Sequence, residues 1–162
     1  MEQTAAKMMV RAVAIIYMAL ILNGNITNPD QILGKVDKWD YQCLAGTIMC
    51  ENPYGTELNC LLTGSVAINR KNSSTWKGDT IEEVILAKDG GFWQYAYSTR
   101  NSFRSIECTD RVKAIAKYLL IFGPVCPSNV VYQGKNKNAG SGLFWAEPTP
   151  NEKIKYEYFC YE

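Results

Sequence analysis

One glutamate, Glu51, occupies a position suited to acid–base chemistry. Leu44, Ile48 and Glu51 recur at helical spacing, so their side chains share one face of a predicted helix. Pro53 cannot continue that helix and keeps Asn52 out of the helical region, so Glu51 lies in the last turn. The negative end of the helix dipole and partial burial both disfavour the ionised carboxylate. Such a glutamic acid can donate a proton near neutral pH. The alternative is a solvated glutamate at a helix end with no role in chemistry.

The chain contains no histidine, which narrows the chemistry open to it. Catalytic triads with an imidazole base and histidine-ligated zinc sites are both excluded. Cleavage of a glycosidic bond needs only carboxyl groups and is therefore compatible with the composition. The net charge of +1 gives no electrostatic case for a nucleic-acid partner. We expect neither a metal nor a cofactor.

Further helices and strands follow the turn at Pro53. A second helix is predicted to begin near Thr56, a favourable N-cap residue, and a short one follows the capping-box pair Thr80 and Glu83. Asp89-Gly90-Gly91 is predicted to end that short helix. A third long helix is predicted over 105–122, and short strands are predicted at 130–132, 143–145 and 154–161.

Residues 1–38 contain an apolar run followed by a segment rich in turn-forming residues. Met8 to Leu22 is apolar apart from Arg11, with a basic start that is typical of a signal peptide or an uncleaved membrane anchor. The run is short for a membrane-spanning helix. The alternative is an additional core helix of the domain. Asn23 to Lys38 contains Asn-Gly and Asn-Pro pairs, which predict a turn or linker.

The cysteines leave two possibilities open. An even number of six permits disulfides in an exported protein, whereas reduced, buried cysteines packing as small apolar residues are equally compatible. Cys43 and Cys50 lie on one predicted helix about 10 Å apart, which is too far for a bridge between them. The others are Cys60, Cys108, Cys126 and Cys160.

The stretch from Trp39 to Arg70 resembles the start of the cell wall hydrolase family that includes the spore cortex-lytic enzymes. Members open with a helix ending in a motif like GEARGEPYEGQ, followed by a helix ending in LNR. The residues 67–70, Ala-Ile-Asn-Arg, match that second helix end, and an ungapped count back places Glu51 on the family's catalytic glutamate. The residues 80–85 match the family's T-I-x-x-V-I helix. Cys50 and Asn52 replace the small residues that flank the glutamate in the family.

The resemblance extends over residues 39–162. It implies an α+β, mainly helical, lysozyme-like domain with a small antiparallel sheet near the C-terminus. The family acts by lytic transglycosylation: one glutamic acid protonates the oxygen between N-acetylmuramic acid and N-acetylglucosamine, then takes the proton of the muramoyl 6-hydroxyl as a 1,6-anhydro ring closes. Simple hydrolysis with a second carboxylate, Glu57 or Glu157, is one alternative. A wall-binding relative without activity is another.

The resemblance also implies where the protein acts and what it contacts. The expected substrate is the glycan strand of peptidoglycan. The protein would act on it after export to the cell envelope or, for a bacteriophage protein, at the host wall. We expect a monomer, with residues 8–22 as a possible site of membrane association. In the family's final strand a histidine often precedes an aromatic residue, and Glu157 occupies that place here. The candidate substrate-binding residues are Tyr54, Trp93, Gln94, Tyr95, Tyr132, Trp145 and Glu157, with packing as the alternative role of the aromatic ones.

Overall fold

The predicted fold class, mainly helical α+β with a small antiparallel sheet near the C-terminus, is confirmed. The structure, a computed structural model, describes residues 2–76, 78–150 and 154–162. In chain order its elements are α1 (Glu2–Leu22), a 3₁₀ turn (Pro29–Gln31), α2 (Lys38–Glu51), α3 (Glu57–Asn72), α4 (Ile81–Ile85), β1 (Lys88–Asp89), β2 (Phe92–Trp93), α5 (Tyr97–Ser102), α6 (Asp110–Phe122), β3 (Val130–Gly134), β4 (Gly142–Pro148) and β5 (Tyr156–Tyr161).

The main core lies between α2, α3 and α6. The start of α3 at its predicted N-cap is confirmed, because the Thr56 hydroxyl accepts a hydrogen bond from the backbone N–H of Asn59. Leu44 and Ile48 on α2 are fully buried, as their spacing predicts. A Cβ at Gly64 would lie only 2.4 Å from Leu119 Cδ1, so the glycine lets α3 approach α6 closely.

The apolar run near the N-terminus forms α1, and one side of this helix packs on α6. The Tyr17 and Phe122 rings lie 5.6 Å apart between centroids, and the Tyr118 hydroxyl donates a 3.2 Å hydrogen bond to the Ala14 carbonyl. Ile21 is fully buried in the main core. None of the described helices is both long enough and apolar enough to cross a membrane.

The segment from Asn23 to Lys38 is more than a connection between helices. Ile26 and Ile32 are buried in the same core as α2 and α6, and the Lys117 ammonium donates to the Pro29 carbonyl. The 3₁₀ turn closes through a capping box between Asn28 and Gln31. The division of the chain at residue 38 stays a prediction, but side chains from both sides of it build one core.

The small sheet has the strand order β3-β5-β4, with both pairings antiparallel. It packs on α3 through a second apolar cluster, in which Phe159 of β5 and Val130 of β3 contact Leu62 and Val66. The register places Glu157 of β5 directly opposite Glu147 of β4. The predicted strands are confirmed, although β5 begins at Tyr156 rather than at residue 154.

Two local predictions were wrong. Asp89-Gly90-Gly91 does not end a helix: α4 stops at Ile85, and the glycines form the turn of the β1–β2 hairpin with positive φ angles of 55° and 86°. The third long helix begins at Asp110, because the Thr109 hydroxyl caps it by accepting from the Val112 N–H. The sequence did not predict α5.

All six cysteines lie in the described part of the chain and are free, which agrees with the second of the two alternatives. Cys43 and Cys50 are unbridged on α2, as the helical spacing predicts. Burial is the largest cause that raises the pKa of each thiol. These cysteines are therefore packing residues and are poorly suited to nucleophilic chemistry.

Candidate active site

A cleft of about 480 Å³ opens between the turn after α2 and the strands of the small sheet. Its size is within the range typical of ligand sites. The cleft brings together three of the residues predicted from the sequence, Glu51, Tyr54 and Glu157. The other lining residues are Asn52, Pro53, Gly55, Gly134, Lys135, Thr149, Pro150 and Ile154.

The end of α2 fixes the position of Glu51 on one wall of the cleft. Asn52 leaves the helical region at φ −136° and ψ 60°, and its N–H donates to the Ile48 carbonyl at 2.8 Å. The buried Asn52 side chain donates a 2.5 Å hydrogen bond to Thr63 Oγ1 on α3. The turn is thereby tied to the neighbouring helix, and the preceding Glu51 has a defined direction.

Glu51 is the predicted acid–base residue, and its surroundings raise its pKa. Burial is the largest cause, whereas a hydrogen bond from Thr99 and the positive charge of Arg70 act in the opposite direction. The Thr99 hydroxyl on α5 donates to Glu51 Oε1 at 2.5 Å. The carboxyl therefore holds its proton more tightly than usual, yet a donor is in place for its ionised form.

Arg70 lies behind Glu51 at the end of α3, and only 2% of its surface is exposed. Its Nε donates to the Val131 carbonyl at 2.7 Å, and its guanidinium lies 4.4 Å from the centroid of the Trp76 ring. No carboxylate of a described residue is within ion-pair distance, and Nη1 is not aligned for a regular hydrogen bond with any of those residues, although the guanidinium is close enough to the Tyr95 hydroxyl to lower its pKa. A buried cation of this kind acts on Glu51 through its field.

Tyr95 also belongs to this inner layer and does not face a groove. Its ring is buried, with the guanidinium of Arg70 5.0 Å from the ring centroid. Burial raises the pKa of the Tyr95 hydroxyl, the charge of Arg70 lowers it, and the negative charge of Glu51 raises it again. Packing behind the turn that follows Glu51, the alternative role considered for Tyr95, is the one that this placement favours.

Glu157 faces the same cleft from β5, on the sheet side. Burial is the largest cause that raises the pKa of its carboxyl, to about 7. The amides of Asn59 and Asn52 lower the pKa, and the negative charge of Glu51 raises it. The Asn59 amide is close enough to act on this carboxyl, although Nδ2 is not aligned for a regular hydrogen bond with any described residue. The negative charge of Glu51 therefore reaches Glu157 and adds to the rise in its pKa.

The sequence reasoning missed Glu147, a buried carboxylate beside the cleft. Its Oε1 accepts a 2.7 Å hydrogen bond from the Thr56 hydroxyl, and its Oε2 accepts one of 2.8 Å from Trp145 Nε1. Oε1 thus ties β4 to the start of α3, whereas Oε2 binds a side chain of the same strand, β4. The available signal was the i, i+2 spacing of Trp145 and Glu147, which puts both on one face of a strand. Trp145 is half-exposed, and its ring nitrogen serves this contact.

The remaining predicted residues lie outside the cleft. Gln94 and Tyr132 line a separate depression of about 240 Å³, together with Trp76. Trp93 lies on the surface of the β1–β2 hairpin, where Lys88 Nζ is 4.4 Å and the Arg100 guanidinium 4.0 Å from its ring centroid. These cations already cover part of the ring that a sugar would need. A role of Trp93, Gln94, Tyr132 or Trp145 in binding substrate stays a prediction.

Comparison with protein-family models gives no match, and neither a curated protein nor a solved structure matches the chain. The residues that the structure describes contain no group of three or more Cys, Asp or Glu side chains arranged to hold a metal ion. The cleft itself contains two carboxyl groups with raised pKa values, those of Glu51 and Glu157.

Proposed function

We propose that the protein cleaves the glycan strand of peptidoglycan between N-acetylmuramic acid and N-acetylglucosamine, with Glu51 as the acid–base residue. The observation that carries the proposal is a glutamic acid with a raised pKa in the wall of a ligand-sized cleft. A carboxyl that keeps its proton towards neutral pH is the group that protonation of a glycosidic oxygen requires. The choice of peptidoglycan rests on the resemblance of residues 39–162 to the cell wall hydrolases.

The surroundings of Glu51 suit both protonation states that such a reaction passes through. Burial favours the neutral acid before the bond breaks. Once the proton has left, the Thr99 hydroxyl and the charge of Arg70 stabilise the carboxylate. Tyr54 projects from the rim of the cleft, with 84% of its surface exposed, and offers a ring for stacking on a sugar.

The resemblance favours lytic transglycosylation, in which Glu51 acts alone. In that reaction Glu51 would donate its proton to the leaving oxygen and then accept the proton of the muramoyl 6-hydroxyl. Hydrolysis by water is the second candidate, and a specific observation favours it: Glu157 lines the same cleft as Glu51. Two carboxyl groups are what most glycoside hydrolases use.

A protein with this activity meets its substrate outside the cytoplasmic membrane. The proposal therefore includes export to the cell envelope, or release by a bacteriophage at the host wall. Membrane association through residues 8–22 is part of the proposal, and the outer side of α1 exposes apolar side chains that would serve it. These are Met8, Met9, Val10, Ile15 and Ile16. We propose that the protein is a monomer.

Clearing of purified peptidoglycan by the full-length protein tests the proposed function. We expect the turbidity of the suspension to fall and soluble muropeptides to appear. Co-sedimentation with the same peptidoglycan should be measured in parallel. Binding without any loss of turbidity and without soluble product would contradict the enzymatic proposal and favour a wall-binding protein.

A further inference from the structure

We propose that Glu157 is a second catalytic residue and that the cleft hydrolyses the glycosidic bond with water. This inference rests on the proposed function, because it concerns the same cleft and the same substrate. In a single-glutamate site, Glu51 would carry out both proton transfers. Here Glu157 and Glu51 carry out one transfer each. This inference also changes the expected product, from a 1,6-anhydro sugar to a reducing sugar.

The two carboxyl groups reach the cleft from two different elements of the fold. Glu51 comes from the last turn of α2, and Glu157 comes from the central strand of the sheet, yet both line the same cavity. They are close enough for the charge of Glu51 to act on Glu157. A sugar bound in this cleft would contact a wall with two acids, and two carboxyl groups are what most glycoside hydrolases use.

Glu157 differs from its neighbour Glu147, which has a structural role. Glu147 lies directly across the strand pair, and protein donors occupy both of its oxygens. Glu157 instead lines the cleft, beside the fully buried Asn59, whose Nδ2 lacks a regular hydrogen bond within the described residues. A buried amide with an unused N–H is costly unless something binds to it. We assign this N–H as a hydrogen-bond donor to the carboxylate of Glu157. That carboxylate exists only after Glu157 has given up its proton.

The environments of the two residues separate their roles. Glu51 has a hydroxyl donor at 2.5 Å and a buried cation behind it, both of which stabilise a carboxylate. At Glu157, burial outweighs the amides beside it and raises the pKa of the carboxyl to about 7. Glu157 therefore keeps its proton until the pH approaches that value. Where two acids in one site have different proton affinities, the tighter one serves as acid and the other as base. Glu157 is then the acid and Glu51 the base.

The step balances without any further reactant than water. Glu157 gives its proton to the glycosidic oxygen as the bond from that oxygen to C1 breaks, and the electron pair stays on the departing hydroxyl. Glu51 takes one proton from a water molecule as the water oxygen bonds to C1. One water is consumed, and each fragment carries a hydroxyl group at the cut. The proton gained by Glu51 returns to Glu157 through solvent before the next turnover.

The groups that face Glu157 come from several packed elements. They are Glu51 and Asn52 at the end of α2, Asn59 and Cys60 on α3, Glu147 on β4 and Lys135 after β3. With these neighbours, activity should fall as the pH rises through about 7, because Glu157 then loses the proton that it must donate. Activity should also fall in acid, where Glu51 becomes protonated. The two limbs belong to the coupled pair.

Digestion of purified peptidoglycan in oxygen-18 water tests this inference. We expect the wild-type protein to produce muramic ends that borohydride reduces and that carry one oxygen-18 atom at C1. Glu157→Gln should lose about a hundredfold to ten-thousandfold of the rate, with a native circular dichroism spectrum. Glu57→Gln is the matched control, since Glu57 pairs with Arg111 outside the cleft and should keep the wild-type rate.

Three results would separate the inference from the proposed function. Products with 1,6-anhydro ends and no oxygen-18 would overturn the inference and leave glycan cleavage by Glu51 intact. A near-normal rate for folded Glu157→Gln would also overturn it. Absence of any cleavage by the wild type would overturn the proposed function itself. The product analysis uses only the wild-type protein, so a variant that misfolds does not prevent a decision.

Discussion

The two walls of the cleft place the same type of side chain in different surroundings. On the helical wall, Glu51 ends α2, with the Thr99 hydroxyl and the buried Arg70 behind it. On the sheet wall, Glu157 lies on β5 beside neutral amides and has no cation among the causes of its shift. Burial raises the pKa of both carboxyls; neutral amides limit the rise at Glu157, whereas a hydroxyl and a positive charge limit it at Glu51. The two glutamates of one cleft thus have different surroundings, as the proposed roles of acid and base require.

The largest effect should come from removing the carboxyl on the helical wall. Glu51→Gln keeps a polar side chain of nearly the same shape, so α2 and the turn at Pro53 should persist. The amide can neither donate the proton nor accept one, and we expect kcat/KM to fall by a thousandfold or more. Rates of muropeptide release measure this loss, with Glu57→Gln as the control. If folded Glu51→Gln keeps activity within a few fold of the wild type, Glu51 takes no part in the chemistry.

The sheet wall should make stability depend on pH. The pKa of Glu157 is about 7 in the folded protein, against roughly 4.3 in an unfolded chain. The stabilisation from its bound proton is complete below the unfolded value and is lost as the pH rises through about 7. From this group alone, we expect the free energy of unfolding to fall by about 1 to 3 kcal/mol between pH 4.5 and pH 8.

Urea unfolding at several pH values measures this dependence. Glu157→Gln cannot ionise, so its stability should vary less over the same pH range than that of the wild type. The difference between the two curves isolates Glu157 from the other titrating groups. Parallel curves for the two proteins would mean that Glu157 is an ordinary, solvated carboxyl.

A smaller effect should follow from the hydroxyl that distinguishes the helical wall. Thr99→Val removes the hydrogen bond to Glu51 while keeping the shape of the side chain. The pKa of Glu51 should then rise further, and the limb of the pH–rate profile that Glu51 sets should move to higher pH. We expect about a tenfold loss of activity at pH 6. Thr99→Ser should restore the profile, and an unchanged profile in Thr99→Val would show that the hydroxyl has no part in tuning Glu51.

The helical wall was the easier of the two to predict. The spacing of Leu44, Ile48 and Glu51 and the stop at Pro53 are local signals, and the structure places all of them as expected. Thr99 could not be found in this way, because it contacts Glu51 across 48 residues of chain. The same holds for Arg70, whose closeness to Glu51 depends on how α3 packs against α2.

The sheet wall depends on pairing between distant strands. Glu157 was selected only because it stands where a histidine is common in the family, and its place in the cleft results from the register of β5. Glu147 was missed because its partner Thr56 lies 91 residues away. The error at Gly90 and Gly91 has a different cause. Such glycines end helices and also form hairpin turns, so the signal does not distinguish the two.

The most direct test of the contrast between the two walls is a carbon-13 NMR titration of the glutamate carboxyl groups in the full-length protein. Glu51→Gln and Glu157→Gln identify the two resonances. We predict that the Glu157 carboxyl titrates with a midpoint near 7, and that the Glu51 carboxyl titrates at lower pH but above the ordinary value. Titration of both carboxyls near 4.3, as in an unfolded chain, would contradict this prediction.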